Sequence, residues 1–195
     1  WMFWTAKEAA YKAVSKTAPA ISSAPRRYQV IIDWQNRKEY PDASPGTVDT
    51  PAGPVLIRVY CRPDWVHCIA TANGPAYTSG IKYGITEIAN GEDPVSARES
   101  ATARSAAAKR LASELGIDPD AIRIVRRPDP VGHEPPMVEI NNNPTPIDIS
   151  LSHDGRFAAY VLYNGERAAH RSMSGFARVA ETAGAVGNTR IKRMD

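Results

Sequence analysis

The sequence predicts an α+β fold, a pseudodimer of two similar subdomains that each pack one helix on a small antiparallel sheet, with the site between them. The order of the predicted elements is the first observation behind this, because a helix followed by strands and turns occurs once in each half. The second is a similar pattern of small and apolar residues near the end of each half, at 67–72 and 157–161. The predicted boundaries are 1–74 for the first subdomain, 75–164 for the second and 165–195 for a basic C-terminal tail.

Composition and charge exclude several classes of protein. Of the 195 residues, 43% are hydrophobic and 23% are charged, which is typical of a globular domain. The net charge of +3 lacks the dense basic face of a nucleic-acid-binding protein. No apolar run is long enough to span a membrane, and no signal peptide is visible. The chain opens with Trp1 directly on a helix, which indicates that the natural N-terminus is missing.

The two cysteines, Cys61 and Cys68, bear on the cellular setting. They fall in one predicted strand region at an odd separation, so we expect them to face opposite sides and to form no disulfide. Their spacing also does not match a zinc site. We therefore expect a reducing, cytoplasmic setting.

A helix opens the first half, because good helix formers run without Gly or Pro as far as Pro19. Trp4 lies one turn before Glu8, and we expect it to anchor this end of the helix in the core. Pro and Ser residues between 17 and 25 predict the loop that follows. Four strands rich in β-branched and aromatic residues are then predicted, at 28–34, 46–50, 55–61 and 65–72.

The second half begins after Gly74-Pro75, which breaks the chain. A strand is predicted at 82–88 and a long helix from Ser96 to Glu114, with Glu99 in the capping-box position and Gly116 as the stop. Ala and Leu residues are expected to form the apolar side of this helix, at 97, 101, 108, 111, 112 and 115. Alternating apolar residues predict further strands at 121–126, 137–140, 147–152 and 157–163.

The tail from 165 onward is basic and rich in small residues. Its sequence predicts one short helix at 175–182 and a flexible end. The tail either docks an acidic partner or is simply solvated.

The first segment with a chemical signature is Trp4-Thr5-Ala6-Lys7-Glu8-Ala9-Ala10-Tyr11-Lys12. Residues three and four apart share a helix face, so Glu8 and Lys12 form one charged face and Lys7 and Tyr11 the adjacent one. The same spacing is typical of a surface ion pair worth a few tenths of a kcal/mol, and this alternative stays open.

The second such segment is Ile149-Ser150-Leu151-Ser152-His153-Asp154-Gly155-Arg156. Ser152 and His153 end a strand and offer a hydroxyl and an imidazole, both of which can bind phosphate. Adjacent strand residues point apart, which argues against a hydrolase triad. The alternative is a hairpin whose histidine is merely exposed.

Taken together, these segments resemble the 4′-phosphopantetheinyl transferase superfamily, of the holo-acyl-carrier-protein synthase type. The first is similar to the family's aromatic–Thr–x–Lys–Glu–Ala–x–x–Lys helix and the second to its Ile–Ser–x–Ser–His strand. Gly132-His133-Glu134-Pro135 resembles the family's Gly–Lys–Pro turn, with one inserted residue and no lysine. The resemblance covers most of 1–163.

The resemblance implies an enzyme that moves the phosphopantetheine arm of coenzyme A onto a serine of an acyl or peptidyl carrier protein. It implies that Glu8 binds Mg²⁺ and is a candidate base for that serine, and that Lys7 assists the coenzyme A phosphates or the proton transfer. It further implies that Lys12, Ser152 and His153 contact coenzyme A. The partners are then coenzyme A and the carrier protein, with neither nucleic acid nor membrane.

Two departures from the family pattern favour an alternative function. The family's second Mg²⁺-binding residue, an Asp in a Gly–x–Asp segment before the Lys–Glu helix, has no counterpart, and Gly84-Ile85-Thr86 carries Thr at that position. The two-half members also often place Ser–His in the first half and Lys–Glu in the second, the reverse of the order here. The alternative is an incomplete or inactive relative that binds coenzyme A or a carrier protein without turnover.

Overall fold

The computed structural model describes residues 1–34, 43–72, 80–89, 95–129, 132–164 and 179–185, and of residues 95, 96, 129, 132, 133 and 179–185 it describes the backbone alone. Within these ranges the fold is mixed α+β, with two helices, two five-stranded sheets and a small two-stranded sheet. Every strand pairing is antiparallel.

One helix and four strands form the first half, as the sequence predicts. Helix α1 spans Met2–Ser15, and its buried side consists of Thr5, Val14 and four alanines. Small side chains on this side let the helix lie close to the sheet beneath it. The strands are β1 (Gln29–Ile32), β2 (Ser44–Thr50), β3 (Gly53–Cys61) and β4 (Trp65–Thr71).

The second half also contains one helix, here preceded by a strand. It begins with β5 (Ile81–Glu87) and helix α2 (Val95–Leu115), which ends at Gly116 in the left-handed conformation (φ 68°) that the sequence predicts. The remaining strands are β6 (Ile122–Val125), β7 (Pro128–Asp129), β8 (Gly132–His133), β9 (Met137–Ile140), β10 (Asn143–Asp154) and β11 (Phe157–Tyr163). The last described strand is β12 (Val179–Ala185).

The two large sheets have matching strand orders and exchange their edge strands. The first sheet has the order β1-β2-β3-β4-β12, and the second has the order β6-β9-β10-β11-β5. Strand β5 follows the first half along the chain but pairs with β11, whereas β12 follows the second half but pairs with β4. The strand that follows β4 in the chain, β5, therefore lies at the edge of the second sheet. The strand that follows β11, β12, lies at the edge of the first sheet.

The helices and sheets form four layers. Helix α1 covers one face of the first sheet through a core that includes Val48, Val59 and Cys68. The opposite face of that sheet meets the second sheet, where Tyr60 and Ile69 pack against Val161 and Tyr163. Helix α2 covers the outer face of the second sheet. The order of the layers is α1, first sheet, second sheet, α2.

Three sequence predictions are wrong in the described residues. Trp4 is not a core anchor, because half of its surface (52%) is exposed. The apolar side of α2 is shifted, since Ala97 and Ala101 are exposed and the buried residues are Ala103, Ala107, Leu111 and Ala112. The segment 179–182, predicted as part of a helix, is strand, because it pairs with the open edge of β4.

Cys61 and Cys68 are free thiols, as predicted. They lie on neighbouring strands, and both pack into the core beneath α1.

Parts of two sequence predictions fall outside the described residues. These parts are 165–178 and 186–195, the rest of the predicted tail, and 73–79 around the predicted domain boundary.

Buried His67 predicts a pH dependence of stability. Its side chain is fully buried between the sheets, stacked on Tyr83 at 5.6 Å, and burial lowers its pKa from 6.5 to about 3. Below pH 6.5 this imidazole is therefore protonated in the unfolded chain but stays neutral in the folded protein. The free energy of unfolding should therefore fall as the pH drops. Between pH 7 and pH 5 this residue should account for about 2 kcal/mol of that loss.

Urea denaturation of the wild type and His67→Phe at both pH values measures this contribution. The variant should lose less stability on acidification than the wild type. Equal losses in the two proteins would show that His67 is protonated in the folded state.

Candidate functional site

The charged residues of α1 lie on its outer side. Glu8 Oε1 and Lys12 Nζ are 3.0 Å apart, and both side chains are partly exposed. Lys7 Nζ donates a hydrogen bond to the Pro25 carbonyl oxygen at 3.0 Å. All three residues lie away from the buried side of the helix. This geometry is that of an exposed ion pair, and it leaves the Glu8 carboxylate accessible to a ligand from solvent.

Ser152 and His153 face opposite sides of the second sheet. Ser152 is buried (6% exposed), on the side that packs against the first sheet. His153 lies on the side of Ile149, which packs under α2. A single phosphate group is therefore not held by both side chains. Glu8 and His153 also belong to different layers, since Glu8 lies on α1 above the first sheet and His153 lies in the second sheet.

The partner of His153 is Glu99 of α2. Glu99 Oε2 lies 3.0 Å from His153 Nδ1, with 12% of the Glu99 side chain and 40% of the imidazole exposed. The sequence predicts a capping role for Glu99 and misses this contact. One signal points to it, since Arg98-Glu99 repeats the basic–Glu order of Lys7-Glu8 on the equivalent helix.

The hairpin turns of the two halves meet beside this pair. Arg156, in the turn between β10 and β11, lies 3.5 Å from Asp64 in the turn between β3 and β4. It also lies 3.7 Å from Glu87 at the end of β5. His153 thus lies three residues from a contact that joins the halves. Cys61 lies as many residues before the β3–β4 turn as His153 lies before the β10–β11 turn. The two residues therefore occupy corresponding positions in the two hairpins.

Thr86, in a segment that is superficially similar to the family's Gly–x–Asp segment, lies in the same row of residues as His153. Ala158 is opposite His153 on one neighbouring strand and opposite Thr86 on the next. Directly opposed residues of an antiparallel sheet share a face, so His153, Ala158 and Thr86 all face α2. The row places Thr86 and His153 two strand spacings apart, roughly 10 Å.

A second contact ties the halves together away from the turns. Lys16, directly after α1, donates to Asp148 Oδ1 at 2.7 Å and to the Ile149 carbonyl oxygen at 3.0 Å, both on β10. The Lys16 side chain is only 5% exposed. The end of the Lys–Glu helix is therefore fixed to the strand that carries Ser152 and His153.

Basic side chains are also found along α2. Arg98 donates to the Ala89 carbonyl oxygen at 3.3 Å. Burial, together with the nearby guanidinium of Arg104, lowers the pKa of Arg126 below its usual value. Arg104 and Arg126 thus bring two positive charges close together, which suits an anionic ligand.

A cavity of about 200 Å³ lies between the sheets, lined by Leu56, Arg58, Tyr60, Tyr83 and neighbouring residues. None of the site residues predicted from the sequence lines it. Burial and a hydrogen bond with Tyr83 raise the pKa of Tyr60, so this hydroxyl remains protonated at physiological pH.

Few of the donor groups that the structure describes could contribute to the predicted magnesium site. In the described part of the chain, no cluster of three or more His, Cys, Asp or Glu side chains could hold a metal ion. Glu8 offers one carboxylate that already pairs with Lys12. These residues alone do not form a metal centre. A Mg²⁺ ion would need most of its oxygen ligands from the phosphates of a substrate and from water.

Among the described residues, neither helix is long and apolar enough to cross a bilayer. Comparison with models of protein families finds none that matches the chain. Comparisons with curated proteins and with solved structures likewise return no match.

Proposed function

We propose that the chain is a pseudodimer that transfers the 4′-phosphopantetheine group of coenzyme A to a serine of an acyl or peptidyl carrier protein, with Mg²⁺. The observation that supports this most is the reciprocal exchange of β5 and β12 between sheets of matching order. It supports a two-half architecture, which the resemblance implies. The two sequence motifs support the activity, because a fold alone does not specify one.

The reacting end of the proposed site lies where the two hairpin turns meet. Arg156 is exposed there and can donate hydrogen bonds to phosphate oxygens, and the imidazole of His153 is exposed beside it. The resemblance alone assigns the roles of Lys7, Glu8 and Lys12 on α1, and Ser152 is too buried to contribute a direct contact. The resemblance assigns Glu8 as a carboxylate for Mg²⁺, and an ion bound to the coenzyme diphosphate would neutralise its charge.

In the proposed reaction the serine oxygen bonds to the phosphorus that carries the pantetheine arm. The bond from that phosphorus to the bridging oxygen breaks, and adenosine 3′,5′-bisphosphate leaves with the electron pair. The serine proton passes to a base on the protein. Positioning and electrostatic stabilisation supply most of the catalysis in such phosphoryl transfers.

Intact mass spectrometry of an apo carrier protein tests the proposal. Incubated with the chain, coenzyme A and Mg²⁺, the carrier should gain the mass of one phosphopantetheine group, and EDTA should prevent the gain. Carriers of fatty-acid, polyketide and peptide synthesis should all be tried, because the sequence does not distinguish among them.

Glu8→Gln tests the role of α1. It should lower the transfer rate by tenfold or more if Glu8 binds the ion with the diphosphate, since a neutral amide is a poor ligand for Mg²⁺. Glu114→Gln is the matched control, because Arg110 and Glu114 form a similar exposed ion pair on α2, at 2.7 Å. Equal transfer rates for Glu8→Gln and Glu114→Gln would show that Glu8 is not part of the site.

The alternative is a relative that binds coenzyme A without transferring its arm. The lack of a counterpart for the family's second Mg²⁺-binding Asp and the pairing of Glu8 with Lys12 favour it. Calorimetric binding of coenzyme A with no mass gain on any carrier would establish this alternative.

A further inference from the structure

We infer that His153 is the base that accepts the serine proton, and that Glu99 is the positioning residue that prepares it. This rests on the proposed transfer reaction. The resemblance gives His153 a phosphate contact and names Glu8 as the candidate base. The contacts in the structure favour the new assignment instead.

The first argument is the geometry of the pair. A carboxylate oxygen at 3.0 Å from Nδ1 is within hydrogen-bond distance and favours the tautomer with the proton on that nitrogen. The neutral ring then carries its lone pair on Nε2, which is the form that accepts a proton from a hydroxyl. The carboxylate also stabilises the imidazolium that forms, as in other carboxylate–imidazole pairs.

The second argument is the difference in burial between the partners. Glu99 is 12% exposed on a regular helix, whereas the imidazole is 40% exposed at the end of a strand. The carboxylate is thus held by the fold, and the ring remains open to an incoming group. A pair that served stability alone would gain nothing from leaving the imidazole open.

The third argument is the position of the pair. His153 lies beside the contact of Arg156 with Asp64, where the two halves meet. The Arg156 guanidinium can bind an anionic ligand at this place. Glu8, in contrast, is engaged in an ion pair with Lys12 at 3.0 Å. The proton in the proposed step therefore moves from the serine hydroxyl to His153 Nε2.

One experiment needs no activity. The ¹⁵N NMR spectrum of the neutral His153 ring reports which nitrogen carries the proton. The wild type and Glu139→Gln should show the Nδ1–H form, whereas Glu99→Ala should lose this preference. Glu139 is the matched control because it is a similarly buried carboxylate (13% exposed) that pairs with Arg127. A wild type in the Nε2–H form would overturn the inference.

The second experiment compares kinetics. Glu99→Ala and His153→Gln should each lower kcat for transfer by about 100-fold, with calorimetric affinity for coenzyme A unchanged within about twofold. Glu139→Gln should match the wild type in both measurements. Weaker coenzyme binding with unchanged kcat would assign His153 to phosphate contact and overturn the inference. If the wild type transfers nothing, the proposed function and the inferred base role both fall, while the NMR experiment still reports the geometry of the pair.

Discussion

Asp148→Asn should lower the free energy of unfolding by about 3 kcal/mol or more. Asp148 Oδ1 is 2.7 Å from Lys16 Nζ, and the Lys16 side chain is 5% exposed. Loss of the carboxylate removes the anionic partner of a buried ammonium, which also donates to the Ile149 carbonyl oxygen. Removal of one partner from a buried ion pair is among the costliest changes that one substitution can make. Urea denaturation near neutral pH measures the loss.

A double-mutant cycle with Lys16→Met separates the pair from its surroundings. Lys16→Met should cost less than Asp148→Asn, because Asp148 is 20% exposed and water can reach its carboxylate. The double variant should be more stable than Asp148→Asn alone, because the buried charge is gone. Lys12→Ala provides the exposed comparison and should cost less than about 1 kcal/mol. A cycle whose two single effects add would mean that the ion pair contributes no coupling between α1 and β10.

The contact also shows why the sequence does not reveal how the halves meet. Lys16 and Asp148 are 132 residues apart, and neither belongs to a motif. Local rules predict the elements that depend on near neighbours. The two helices, the hairpins and the stop at Gly116 are such elements, and all are present.

Elements that depend on distant partners are the ones the sequence misses. Strand β12 contains three alanines and a glycine, and its residues favour no strand locally. Its conformation depends on pairing with β4, more than 100 residues earlier in the chain. The same reason explains Glu99, whose local spacing indicates a helix cap but whose partner, His153, lies on another element.

The candidate site likewise combines local features that the sequence predicts with long-range contacts that it does not predict. The sequence marks His153 and Glu8 through short motifs, and the helix spacing predicts the Glu8–Lys12 pair, which is confirmed at 3.0 Å. The motifs do not reveal which side of a sheet each residue faces. The opposite orientation of Ser152 and His153 follows from strand alternation, but the burial of Ser152 against the first sheet needs the packing of the two halves.

Gly46→Ala should destabilise the protein by about 3 kcal/mol, because the added methyl group has no room. A Cβ at Gly46 would overlap with the Ile31 carbonyl oxygen and would lie 3.1 Å from the Ile32 Cα. Both are backbone atoms of β1, which pairs with β2 at this point. No rotation of a side chain relieves the contact, so the strands must separate. Thermal and urea denaturation both measure the effect.

Gly116 provides a control in which glycine is required for a different reason. No atom lies within 4 Å of a Cβ built there, but its φ of 68° is unfavourable for most side chains. Gly116→Ala should cost about 1 kcal/mol and Gly116→Asn less, because Asn tolerates the left-handed conformation. At Gly46 the order should reverse, with Asn at least as damaging as Ala, because steric exclusion grows with side-chain size. A Gly46→Ala variant as stable as the wild type would mean that β1 can move away from β2 at little cost, and β1 would then be a loosely held edge strand rather than part of a rigid first sheet.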